Sequence, residues 1–121
     1  MKHSLLILIS FLLLSSPVIG DSHKGETLFW WETPSGRVWK GFGDKEIQPE
    51  YKGDVKNGKP DGLGVLIYSF GWKYVGSWKD GKMNGHGIYS WGDGSKYVGK
   101  WKNGVKNGQG TETYSDGGKY L

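Results

Sequence analysis

The stretch Tyr51–Lys119 decides the fold, because it is one 23-residue sentence written three times. YKGDVKNGKPDGLGVLIYSFGWK (51–73) is followed by YVGSWKDGKMNGHGIYSWGDGSK (74–96) and then by YVGKWKNGVKNGQGTETYSDGGK (97–119). The opening tyrosine recurs at Tyr51, Tyr74, Tyr97 and Tyr120. Glycine recurs in four columns, headed by Gly53, Gly58, Gly62 and Gly64. A fixed period of this size means that each unit buries its apolar face only against its neighbours.

Alternation sets the faces. In Tyr74–Lys79, Tyr74, Gly76 and Trp78 fall on one side of a strand and Val75 on the other. Asn57-Gly58, Asp80-Gly81 and Asn103-Gly104 then mark a reversal, since both residues of such a pair tolerate positive φ. The glycines that follow predict a loop longer than two residues before the return strand, Gly87 to Trp91 in the second copy. Asp93-Gly94 and Asp116-Gly117 turn the chain out of the second and third copies. A mid-strand glycine weakens pairing by itself but leaves room for a ring from an adjacent strand.

The pattern Y-x-G-x-x-x-x-G-x-x-x-G-x-G resembles the MORN repeat in all three copies, over 69 of 121 residues. The acidic residue frequent after the first of these glycines is present only as Asp54, with Ser77 and Lys100 in the other copies. The resemblance implies an all-β fold, an elongated array of antiparallel hairpins in a single twisted sheet. It also implies scaffolding, with association to membranes or protein partners.

Outside the array, Lys2 and the apolar run Leu5 to Leu14 have the layout of a signal peptide over residues 1–20, with cleavage near Gly20-Asp21. An uncleaved anchor is the competing reading. The expected location is thus exported: secreted, periplasmic or at the cell surface. Residues 21–50 read as a lead-in, a short strand at Leu28 to Trp31, a turn at Thr33 to Gly36 and a loop from Gly43 to Glu50. Trp39-Lys40-Gly41 echoes the head of a copy, so Leu28 to Phe42 reads as a divergent partial repeat capping the array. Tyr120-Leu121 opens a fourth copy. Its exposed edge is tolerated, or pairs with another chain as in a homodimer, or continues into further copies.

Beyond residue 20 the chain keeps 15 of 16 basic and all 12 acidic residues, a net charge of +3. That is short of a dedicated nucleic-acid binder, and no nucleic-acid partner is expected. The chain has no cysteine, no histidine pair at ligand spacing and no serine with a histidine base at hand. The sequence therefore supports no catalytic, metal or cofactor site, and the expected class is a non-enzymatic binding module.

Two sets of residues are candidates for binding. Lys56, Lys79 and Lys102 share one column, and Lys73, Lys96 and Lys119 another. In stacked hairpins each column becomes a row of charges about 10 Å apart, suited to an anionic lipid surface. The competing reading, solubility and edge protection, carries more weight from sequence alone. Trp78, Trp91 and Trp101 are either a ring-lined groove for a peptide, glycan or lipid headgroup, or the core. The core reading is the stronger, because the chain has little else to bury. Their exposure separates the leading function, a scaffold contacting a membrane or a protein partner, from the alternative, a carbohydrate-binding module.

Overall fold

The computed structural model describes residues 22–120; the leader expected over residues 1–20 lies outside them. The strands are β1 (Ser22–Thr33), β2 (Gly36–Lys40), β3 (Glu50–Lys56), β4 (Lys59–Ile67), β5 (Lys73–Lys79), β6 (Lys82–Ser90), β7 (Lys96–Lys102), β8 (Val105–Thr113) and β9 (Lys119–Tyr120). They form one antiparallel sheet in the order β2-β1-β3-β4-β5-β6-β7-β8-β9. This is the open hairpin array expected from the 23-residue period.

The hairpin turns are tighter than the glycines suggest. β3 ends at Lys56 and β4 starts at Lys59, so only Asn57 and Gly58 stand between them. Their φ values are 53° and 76°, and the equivalent pairs at 80–81 and 103–104 match them. Positive φ at both central residues is the tight hairpin geometry whose twist fits the flanking strands. The longer loop is therefore absent. The next glycine column serves a bulge instead. Gly76 pairs with Gly87 and Trp78 with Met83, so Asn84, Gly85 and His86 of β6 stand opposite Ser77 of β5 alone. Gly85 lies in that bulge at φ 97°, a conformation open to glycine at no steric cost.

The two other glycine columns meet edge to edge. Gly53 pairs with Gly64, Gly64 with Gly76, Gly76 with Gly87, Gly87 with Gly99 and Gly99 with Gly110. This ladder of bare backbone crosses six strands. Tyr51, Tyr74 and Tyr97 lie over it, and their hydroxyls donate to the carbonyls of Asp54 (2.6 Å), Ser77 (2.9 Å) and Lys100 (3.2 Å). Each polar tip thus finds an acceptor while the ring fills the gap left by glycine.

The core is this aromatic face. Tyr51, Leu66, Tyr74, Trp78, Tyr89, Tyr97 and Trp101 are buried, with Leu28 and Val55 at its start. Each tyrosine touches the tryptophan of its own copy or the next: Tyr74 meets Trp78 at 5.3 Å and Trp101 at 5.4 Å, both edge-on. The first copy has Val55 in the tryptophan column. Trp39 of β2 supplies a ring there, 5.8 Å from Tyr51 and 5.9 Å from Trp78. Its indole N–H donates to the Gly81 carbonyl (3.2 Å), and its free face stacks on Trp30 at 5.0 Å. The β1–β2 ribbon thereby reaches over the aromatic face, and β1 is much longer than the short strand expected at Leu28 to Trp31.

Candidate functional site

Opposite the aromatic face lies an outer face built from the alternate residues of each strand. On β5, Tyr74 and Trp78 are buried while Lys73, Val75 and Lys79 are exposed. On β7, Tyr97 and Trp101 are buried and Lys96, Val98, Lys100 and Lys102 are exposed. Directly paired residues of antiparallel strands share a face, so the register places every candidate lysine.

Lys73, Lys96 and Lys119 stand in one row near the connecting loops. Pairing carries that row across the sheet as Lys40, Phe29, Glu50, Ile67, Lys73, Ser90, Lys96, Thr113 and Lys119. Lys40 is a member that sequence reasoning missed, because the divergent first hairpin hides its alignment. Lys56, Lys79 and Lys102 form a second row at the hairpin tips. Lys56 pairs with Lys59 and Lys79 with Lys82, which doubles the charge at two tips. Lys59 and Lys82 were invisible without the two-residue turn length, since only that length sets them opposite their partners.

Between the two lysine rows runs an apolar stripe. Val65 pairs with Val75, Val75 with Ile88 and Ile88 with Val98. Val75, Ile88 and Val98 are each about two-fifths exposed (40%, 39% and 41%). No other layer of the described residues covers them, so the face presents aliphatic side chains with cations along both borders.

Glu50 stands within the loop-edge row, whereas other acidic residues are occupied away from both rows. Asp93 and Asp116 accept the amides of Ser95 (2.9 Å) and Gly118 (2.8 Å) and so hold the connecting turns. Hydrogen bonding from Ser95 keeps the Asp93 carboxyl below its ordinary pKa. Glu112 is likewise held low, by its hydrogen bond from Lys106 at 2.7 Å. Among the described residues the ion pairs are Arg37–Glu32 and Lys106–Glu112, which leaves the two lysine rows unneutralised by direct pairing.

The candidate tryptophans lie on the other side. Trp78 and Trp101 are 4% and 6% exposed and form part of the core. Trp91 is half-buried, 5.0 Å from Tyr89 and beneath the Lys106 ammonium at 5.3 Å. The three rings do not make an open platform, and the arrangement does not bring them together with the lysines.

A search of curated proteins found no match. A family model described as the MORN repeat matches three tandem segments, residues 51–71, 74–96 and 97–119. The matched segments are the hairpins that carry the glycine ladder, and as they cover more than half of the chain it belongs to the MORN-repeat family.

Proposed function

We propose that this protein is a non-enzymatic scaffold that is exported and docks its outer face on an anionic lipid surface. The supporting observation is the segregation of the two faces: rings are buried on one side, and the other side carries an aliphatic stripe between rows of lysines that form no ion pair among the described residues. Each lysine held near an anionic membrane contributes roughly 1 kcal/mol, and a row in fixed register adds these without reordering the backbone. The burial of Trp78 and Trp101 counts against the carbohydrate reading, which needs those rings free.

Vesicle flotation tests this with the chain from Asp21 onward, which contains every described strand. Flotation with anionic but not neutral vesicles, weakened by salt and lost when Lys56, Lys79 and Lys102 become Gln together with Lys73, Lys96 and Lys119, is the expected result. No flotation at any salt would return the lysines to solubility and turn attention to a protein partner.

A further inference from the structure

The edge of the sheet formed by the connecting loops carries large apolar side chains that the repeat does not need. Phe42, Ile47, Phe70 and Trp72 are 64%, 72%, 62% and 39% exposed. All four sit at one edge, because β3 begins where β4 ends: Glu50 pairs with Ile67, and Ile67 with Lys73.

The turn at 68–72 shows that Phe70 and Trp72 are not there for the backbone. Tyr68 N–H donates to Trp72 O (2.9 Å) and Gly71 N–H to Tyr68 O (2.9 Å). Residues 91–95 and 114–118 make the same two bonds at 2.8–3.1 Å with polar residues. In those turns Asp93 and Asp116 occupy the place of Phe70, and Ser95 and Gly118 the place of Trp72. The match to the family also stops at residue 71 in this copy. The first copy has given up an aspartate cap for two exposed rings.

The neighbouring loop presents its apolar residue in an ordered frame. Asp44 accepts the amides of Ile47 (2.8 Å) and Gln48 (2.7 Å) through its carbonyl, and that of Glu46 (2.9 Å) through its carboxylate. The Asp44 amide in turn donates to Gln48 Oε1 at 2.8 Å. Ile47 and Phe70 both line one cleft of about 430 Å³. The Lys40 ammonium lies 5.6 Å from the Phe42 ring centre, and Lys73 directly follows Trp72. Exposed aromatic and aliphatic side chains on rigid loops, bordered by lysines, have the composition of the headgroup boundary of a bilayer.

Resting on the docking reading above, we infer that the loop edge enters the membrane first, with Ile47, Phe70, Trp72 and Phe42 as apolar anchors at the acyl–headgroup boundary. The sheet then stands tilted. Lys73 and Lys79 are six residues apart on one strand, about 20 Å at strand rise. That exceeds two Debye lengths of about 8 Å at physiological salt, so the tip row contributes less than the loop-edge row.

The native chain has no cysteine, so single labels are clean. Ile47→Cys, Phe70→Cys and the tip control Val105→Cys would each carry an environment-sensitive fluorophore and be mixed with anionic vesicles. The expected result is a blue shift and rise in emission at positions 47 and 70 and little change at 105. Replacing Phe70 alone by Asp restores the aspartate of the second-copy turn and leaves Trp72, which packs edge-on against Tyr89, in place, so the fold should hold. Partitioning should fall about tenfold, and by more for the Lys73/Lys96/Lys119→Gln variant than for the Lys56/Lys79/Lys102→Gln variant. Flotation with positions 47 and 70 still aqueous, or with 105 responding equally, would overturn edge entry while leaving flat docking in place. Failure of the parent chain to float would overturn both.

Discussion

The phenol of Tyr74 on β5 lies over the bare α-carbon of Gly87 on β6, so closely that a Cβ at Gly87 would overlap the ring. The tyrosine is fully buried and its hydroxyl is fixed to the Ser77 carbonyl, so it has nowhere to retreat. Gly87→Ala should therefore destabilise the fold by about 3 kcal/mol, the upper end of overpacking costs. Gly41→Ala, where a Cβ meets nothing, should stay within about 0.5 kcal/mol of the parent. Urea denaturation of both variants gives the comparison, and equal midpoints would contradict the close-approach account.

Trp78 and Trp101 occupy the same column but differ in one bond. The Trp78 indole N–H donates to the Gly64 carbonyl at 3.2 Å, whereas the buried Trp101 N–H has no partner among the described residues. Substitution by Phe removes ring area at both positions, but only at Trp78 does it also forfeit a hydrogen bond of about 1 kcal/mol. Trp78→Phe should thus cost more than Trp101→Phe in thermal unfolding. The reverse order would show that Trp101 holds the more important donor.

Turn chemistry makes a third test. Asp80 sits at φ 49° in a two-residue hairpin turn. Asp80→Ala should lose about 1–2 kcal/mol, because the Cβ disfavours this region without a compensating polar side chain. Asp80→Asn, which restores the residue used at 57 and 103, should be neutral or slightly stabilising. Denaturant midpoints for the two variants would separate backbone preference from charge, which Asn and Ala remove alike.

Alkaline stability follows from the buried phenols. Desolvation by burial pushes Tyr74 up to about 12 from an ordinary value near 10, and raises Tyr51 and Tyr89 as well. A folded pKa above the unfolded one gives stability that is complete below about pH 10 and is lost as pH rises toward 12. Unfolding free energy should be level across neutral pH as far as these groups are concerned, and should fall above pH 10. Phenolate absorbance from Tyr51, Tyr74 and Tyr89 should then appear only as the fold is lost. A single phase near pH 10 would contradict the burial.

Much of the fold was legible because glycine and tyrosine answer to strict local geometry. The Tyr51, Tyr74, Tyr97 column and the Asn-Gly pairs marked strand faces and reversals without any tertiary information. The bulge at Gly62, Gly85 and Gly108 was not legible, since a positive-φ glycine reads alike in a long loop or in a bulge. That error hid the register, and with it the pairing of Lys56 with Lys59 and of Lys79 with Lys82. The role of Trp39 was equally hidden, because its contact with Gly81 spans 42 residues and depends on how β1 and β2 reach over the sheet. The outer lysine rows were visible as columns, but their joint face with Val75, Ile88 and Val98 needed the strand pairing. Phe70 and Trp72 carry no signal of their own in the sequence, because only the turn geometry and their exposure set them apart from core rings.

Because Tyr51 touches Trp78 and Tyr74 touches Trp101, every seam between copies is made from the same two rings. Identical seams make the array a ratchet of interchangeable links. Splicing one 23-residue link in or out would alter length and, on the docking proposed above, avidity together, while leaving each remaining joint as it was. Copy number, rather than any single side chain, is then the setting that evolution or an engineer would turn to tune how firmly the strip holds on.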